Sequence, residues 1–375
     1  MAPFKSSLAK TAKQLLGLRS TADLGLRGAT QNTRVKQPIS ASGGTKFTSG
    51  DQTYHLFHTS STLEMTDGPG SITAEIFLVA GGGAGVDGGG GGGGIRNVPG
   101  VTLGPGETWT CTVGDGASPS GGPASSSTGR PGWSSPNTQS NPIVGKHTDF
   151  HFQPVSYPNP KYYRAIGGGR GGVWGSPGGP GGSGGGAGNR ASGGAQPGGA
   201  ANTIDTTPTP APNQFGNAGG SVSSSPVDDI GGGGGGAGGA GISGSPPTST
   251  ATRGNGGAGA PFPAYASPII GPQLTAAGVP GPEVTAFNTA VGPTGLYGGG
   301  GGGGGRSPGD DSGTAGGPGG GGGNPTGGAV PGTAGDPGVK YTGGGGGGGG
   351  FHDPSVNYGP GGGGGKGLII IKYPT

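Results

Sequence analysis

The sequence predicts a mainly β fold with polyglycine-II helices: a small β-sandwich base closed by the C-terminal strand, plus a glycine-rich slab carrying loops. Three observations predict it. Glycine and proline account for 143 of the 375 residues, while Leu, Ile, Val and Phe together number 54. That is too little apolar matter to fill an ordinary core of this length. The glycines stand in unbroken blocks rather than at every third position, which excludes a collagen triple helix. Clear strand patterns are confined to residues 43–116 and to the C-terminal end. Composition of this kind usually means disorder, but the net charge is only +3, and disordered chains are held open by charge.

Residues 1–42 read as a separate arm. They carry seven basic groups, from Lys5 to Lys36, against Asp23 alone, for a local charge of +6, and the remainder of the chain is at −3. Ser6 or Ser7 can cap a short helix through Leu8, Ala12, Leu15 and Leu16. Such a basic, acid-poor leader also suits an organelle-targeting peptide.

Residues 43–116 read as the base. Thr53–His58 alternates. In Ser71–Ala80, Ile72, Ala74, Ile76 and Leu78 share one face, and Phe77 and Val79 the other. In Glu107–Val113, Trp109, Cys111 and Val113 oppose Thr108, Thr110 and Thr112. His147–Phe152 and Lys161–Ile166 supply two further strands. Leu368–Tyr373 is apolar on both faces, the mark of a central strand, and is expected to pair with residues 71–80. The base is thus completed by 147–166 and 366–375.

Residues 117–365 form a long excursion. Glycine blocks recur at 81–94, 167–188, 231–241, 298–305, 316–323, 343–350 and 361–365, separated by polar, proline-rich segments, the longest being 195–230 and 242–297. A glycine block buries no side chain, so the hydrophobic effect cannot order it. Its N–H and C=O groups still require partners. Polyproline-II-type helices make no internal hydrogen bonds and turn once per three residues, so a hexagonal array of them can pair in three directions. The segments between blocks would then emerge as loops on a stiff scaffold, an arrangement suited to recognition. Their aromatic residues are the binding candidates: Trp133, Tyr157, Phe215, Phe262, Tyr265, Phe287 and Tyr358, with Tyr297 and Phe351 beside them. Anchoring of the loops onto the slab is the competing role for each.

Few residues suggest chemistry. His147, Asp149 and His151 alternate and would share a strand face, a spacing that can ligate a metal, although a half-exposed strand face is the simpler reading. Asp228–Asp229 and Asp310–Asp311 read as solvated loop charges. The Gly361–Lys366–Gly367 stretch lacks the Ser or Thr of a phosphate loop and leads into a strand rather than a helix. Cys111 reads as a small core residue. No catalytic constellation, metal site or cofactor is expected.

Several stretches resemble the glycine-rich domain proteins of tailed phages, especially those infecting marine cyanobacteria. AEIFLVAGGG at 74–83 resembles the family's strand running into its first glycine block. VTLGPGETWTCTVGDG at 101–116 resembles its next hairpin, and GGGGGKGLIIIKY at 361–373 its closing signature. Met1–Thr33, with FKSSLAK and LGLRGATQ, resembles the leader of such virion proteins. The long insertions at 195–230 and 242–297 depart from the pattern. The organisation is similar to that of polyglycine-II tail-fibre adhesins.

The resemblance implies a virion protein, made in the host cytoplasm. It would be a tail fibre or tail-tip adhesin whose loops bind a host surface glycan or outer-membrane protein. Residues 1–42 would dock it to other virion proteins, with Phe4, Lys5, Leu8, Leu15, Leu16 and Arg27 as attachment candidates. A homotrimer formed through this arm is a further implication, and no nucleic acid is expected as a partner. A non-adhesive connector or decoration protein is the alternative. An ice-binding protein would need a flat, regular Thr or Ala face, which these irregular insertions do not supply.

Overall fold

The computed structural model describes residues 39–119, 144–153, 161–173, 175–188, 194–201, 214–223, 230–244, 254–307, 314–323, 334–349, 351–352 and 357–375. Its regular structure is mainly β. The strands in chain order are β1 (Ala41–Ser42), β2 (Thr45–Ser49), β3 (Gln52–Phe57), β4 (Ser61–Met65), β5 (Ile72–Val79), β6 (Ile95–Leu103), β7 (Thr108–Thr112), β8 (Thr148–Phe152) and β9 (Tyr162–Ala165). They continue with β10 (Gln214–Phe215), β11 (Ala260–Pro261), β12 (Leu296–Tyr297), β13 (Arg306–Ser307), β14 (Phe351–His352), β15 (Asn357–Tyr358) and β16 (Leu368–Pro374). Two helices, α1 (Ser267–Ala276) and α2 (Gly281–Val291), lie between β11 and β12.

Two sheets carry the core. One has five strands in the order β1-β4-β7-β8-β9, the other six in the order β10-β6-β5-β16-β3-β2. The C-terminal strand lies between β5 and β3, with Ile370 opposite both Phe77 and Leu56. An apolar cluster draws on both sheets. Leu63, Trp109, Cys111 and Phe150 come from one, and Ala74, Ile76, Leu78, Ile369 and Ile371 from the other. Trp109 stacks on Phe150 with centroids 4.6 Å apart. The period-two faces expected of 71–80 and 107–113 are the faces seen. Ser61–Met65 and Ile95–Leu103, not expected as strands, are β4 and β6. β1 lies within the arm expected at 1–42, yet Ala41 pairs with Met65 of β4.

The other face of the six-stranded sheet exposes Leu56, Phe77, Val79, Ile95, Leu368 and Ile370 to a second cluster. This face must be covered, because each such side chain removed from water contributes about 1.5–3 kcal/mol. Its cover is the segment expected to be part of a polar loop at 242–297, and here the expectation is corrected. Residues 260–297 form β11, a one-turn 3-10 helix at Pro263–Tyr265, α1, α2 and β12. Pro268 and Pro282 lie in the first turns of the two helices, where a missing N–H costs nothing. After α1 the chain reverses at Gly278, whose φ is 81°, and the Val279 N–H bonds back to Leu274 O at 3.0 Å, a Schellman-type close. Gly271 of α1 faces α2 so closely that a Cβ there would lie 2.1 Å from Asn288 Oδ1.

The glycine blocks lie side by side and pair through their main chains. From Gly88 to Gly94 the N–H groups address three neighbours in rotation. Gly88, Gly91 and Gly94 donate to Gly172, Gly169 and Ile166 at 3.0, 2.8 and 2.8 Å. Gly89 and Gly92 donate to Gly232 and Gly235, and Gly90 and Gly93 to Gly346 and Gly343, all between 2.7 and 3.0 Å. The same rule of three recurs in the 343–350 block, where Gly346 and Gly349 donate to Gly83 and Val86, and Gly345 and Gly348 to Gly299 and Gly302. At many of these glycines no side chain fits: a Cβ on Gly345 would stand 2.0 Å from Gly90 O, and one on Gly347 2.1 Å from Gly323 O.

Candidate functional site

The aromatic candidates separate sharply by position. Phe262, Tyr265 and Phe287, expected either to face a receptor or to anchor their loop, are core residues at 8%, 1% and 0% exposure, which is the anchoring role, and Tyr297 beside them is at 0%. Phe77 organises them: its ring lies 4.8 Å from Phe262, 4.3 Å from Tyr265 and 5.2 Å from Tyr297. Phe215 is half-buried and meets Phe262 edge to face at 5.0 Å. Apolar rings are held there because the sheet face beneath them is otherwise wet. Tyr358 lies in β15 opposite Phe351. Trp133 and Tyr157, and the arm candidates Phe4, Lys5, Leu8, Leu15, Leu16 and Arg27, lie outside the described residues, as do Asp228–Asp229 and Asp310–Asp311.

Where α2 meets the end of the glycine array, the surface is concave. A groove of about 640 Å³ runs between the C-terminal half of α2 and the turn at Gly317–Gly321. Thr289, Ala290, Leu296 and Val339 are among its lining residues, and among the described residues none that lines it is charged. Its rim is braced. Tyr341 has a φ of 65°, rare for a bulky residue, and its hydroxyl donates to Glu283 Oε2 of α2 at 3.0 Å. Lys340 Nζ donates to Glu283 Oε1 at 2.6 Å. The Lys340 bond is the main reason that the Glu283 carboxyl lies below the usual range. The open face of the helical pair carries Pro268, Pro272, Thr275, Thr285, Asn288 and Thr289, all uncharged.

A second polar patch lies on the outer face of the five-stranded sheet. Arg164 grips Asp149 with two nitrogens, Nε to Oδ1 at 2.7 Å and Nη2 to Oδ2 at 3.1 Å. The Tyr162 hydroxyl donates to Asp149 Oδ2 at 3.0 Å. His151 stacks on the Tyr162 ring at 4.7 Å. Burial pushes the Tyr162 hydroxyl up to about 12 and His151 below its ordinary value. The patch therefore holds its charge in one fixed pair, Arg164 with Asp149. His147 does not join Asp149 and His151: it precedes β8, and its Nδ1 accepts from the Gly167 N–H at 3.0 Å. No group of three metal-ligating side chains occurs among the described residues.

The remaining sites fall to structural roles. Cys111 is fully buried in the core, and burial pushes its thiol far up. Lys366 lies 3.4 Å from Asp115 and leads into β16. Among the described residues, no helix is long and apolar enough to cross a membrane. Sequence reasoning missed the groove because α2 is built from Gly, Pro, Glu, Thr, Ala and Asn around only three buried apolar residues, Val284, Phe287 and Val291. That i, i+3, i+7 spacing was the available signal. The chain matches no family model, and no curated protein matches it.

Proposed function

We propose that this chain is a structural protein of a phage virion, a tail fibre or tail-tip adhesin. On this reading the glycine blocks are polyglycine-II helices packed into a slab, and the two large sheets are a sandwich at its base. One observation carries the reading: the rotation of main-chain donors among three neighbours, residue by residue, from Gly88 to Gly94. Three residues per turn is the period of that helix. A slab built of backbone alone offers no chemistry of its own, so its work is mechanical. It is a rigid support for what projects from its ends.

The contact surface is then the groove beside α2 together with the segments that leave the slab, and the rings of Phe262, Tyr265 and Phe287 only anchor it. An uncharged groove with Thr hydroxyls and main-chain groups suits a glycan or a neutral protein epitope better than an anionic ligand. Residues 1–42 dock to other virion proteins, and the protein works without catalysis or cofactor. The test is adsorption. Particles carrying Ala290→Trp with Thr294→Arg, which fill the groove from its exposed side, should assemble normally and lose host binding. Normal adsorption by such particles would sink the adhesin reading.

A connector or decoration protein is the second reading, favoured by one observation. Three of the loop aromatics that suited a receptor, Phe262, Tyr265 and Phe287, are in the core. It requires adsorption to be indifferent to the groove and many copies per particle.

A further inference from the structure

We propose that Lys372, Glu75 and Asn97 form a self-modifying site, at which Lys372 Nζ condenses with the Asn97 carboxamide and Glu75 carries the protons. The three residues stand on adjacent strands, β16, β5 and β6. Lys372 is opposite Glu75 in the β16–β5 register. Asn97 is opposite Phe77 in the β5–β6 register, which slips between Ala74 and Ile76 and so leaves Glu75 outside the regular ladder. All three project on the face covered by the helical segment.

One carboxylate gathers the other two groups. Lys372 Nζ lies 2.7 Å from Glu75 Oε2, and the Asn97 side chain also hydrogen-bonds Glu75. The Tyr265 hydroxyl donates to Oε1 at 2.9 Å. The ring of Tyr265 walls the site. It is 1% exposed, stacks 4.3 Å from Phe77, and has Lys372 Nζ 5.4 Å from its centre. Asn97 Oδ1 is buried and has no hydrogen-bond partner among the described residues. An unsatisfied buried carbonyl oxygen is costly, and it marks the carboxamide as the unfinished member of the group. The two ends of a side-chain amide are exchanged by a half-turn, which would present Oδ1 to Glu75.

The step balances without any added reagent. Lys372 passes a proton to Glu75, which gives a neutral amine and a carboxylic acid. The acid hydrogen-bonds Asn97 Oδ1 and polarises the carbonyl, and the Nζ lone pair attacks Cγ. The Cγ–Nδ2 bond then breaks, with Glu75 relaying a proton from Nζ to the leaving nitrogen. An amide forms between Lys372 and Asn97, and one ammonia departs. Sharing one carboxylate brings the amine and the carboxamide together, the proximity the step requires, and general acid–base relay by that carboxyl completes it. Burial pushes the Glu75 carboxyl up, but its hydrogen bonds to Lys372, Asn97 and Tyr265 outweigh this and leave it below the ordinary range. The neutral pair is thus the minor form, and condensation follows folding slowly. Its product would tie the C-terminal strand covalently to β6 across β5.

The experiment is mass spectrometry of the folded full chain after overnight incubation at neutral pH. The expected result is an intact mass lower than the sequence mass by one ammonia. A protease digest should contain a linked pair joining the peptides of Asn97 and Lys372. Glu75→Gln and Asn97→Ala, with unchanged circular dichroism, should restore the full mass and the separate peptides. A wild-type chain at full sequence mass overturns the proposal. Ammonia loss without the linked pair also overturns it, since a succinimide at an asparagine would explain that loss. Linkage that survives in Glu75→Gln removes Glu75 from the mechanism as stated.

Discussion

The Tyr265 hydroxyl donates to Glu75 Oε1 at 2.9 Å, a bond between residues 190 positions apart. It joins the helical cover to the bulged middle of the central sheet. The carbonyl of Tyr265 in turn accepts from the Tyr297 hydroxyl at 2.7 Å, so both ends of the cover are fastened at one place.

Removing that fastening has a graded cost. Tyr265→Phe keeps the ring and loses a hydrogen bond to a charged group, worth about 1.5–3 kcal/mol. Tyr265→Ala also opens a cavity under the cover and should cost about 3–5 kcal/mol. Urea titration of both variants checks the order. Equal stability of wild type and Tyr265→Phe would mean that the bond contributes nothing.

Where two main chains of the glycine array meet closely, no added methyl should be tolerated. Gly345→Ala would place a Cβ 2.0 Å from Gly90 O, main chain against main chain, and neither side can yield without breaking the paired rows. We expect this variant to be insoluble or unfolded. Gly281→Ala is the control, because nothing lies within 4 Å of its added Cβ. It should be neutral or gain a few tenths of a kcal/mol from helix propensity. Expression and thermal melting of the pair decide the matter.

The paired amides should also exchange slowly. Hydrogen–deuterium exchange over Gly88–Gly94 is expected to match the central strand β16 in protection. Rapid uptake there would dismantle the array.

Acid should loosen the closure of the base. His55 is fully buried, with Nδ1 2.7 Å from Gly43 O and Nε2 3.0 Å from the Tyr373 hydroxyl. The neutral ring fits both, donating from Nδ1 to the carbonyl and accepting at Nε2 from the tyrosine. Burial first, and the nearby Lys46 charge to a lesser degree, hold His55 below its ordinary 6.5. A depressed histidine is neutral in the folded chain while the unfolded chain takes up a proton. Stability is therefore complete above about 6.5 and declines as pH falls from there toward the folded value. Denaturation midpoints measured from pH 7.5 down to 5 should fall for wild type and change less for His55→Phe, which starts lower because Gly43 O and the Tyr373 hydroxyl lose their partner. His58 and His151 are also lowered by burial, so the variant should retain some slope.

Much of the base was legible in the residues. Alternation assigned Ile76 and Leu78 to one face and Phe77 and Val79 to the other, because side chains on a strand alternate strictly. Leu368–Ile371, apolar on both sides, could only be central. The glycine blocks announced main-chain pairing, since their amides had no other means of satisfaction. β4 and β6 were missed because Ser61–Met65 is short and polar, and Pro99 and Gly100 interrupt Ile95–Leu103.

The sequence by itself determined which faces are apolar and that the glycine segments must bond to one another. Only the tertiary structure decided what covers the outer face of the six-stranded sheet. A pattern of side chains states that a surface needs burying, but the segment that buries it is chosen by packing over long range. Phe262, Tyr265 and Phe287 look like display residues in a proline-rich stretch until Phe77, Leu368 and Ile370 are placed beneath them. The groove beside α2 has the same origin: one wall comes from a helix near residue 290 and the other from glycines near 319, and no local pattern brings those two together.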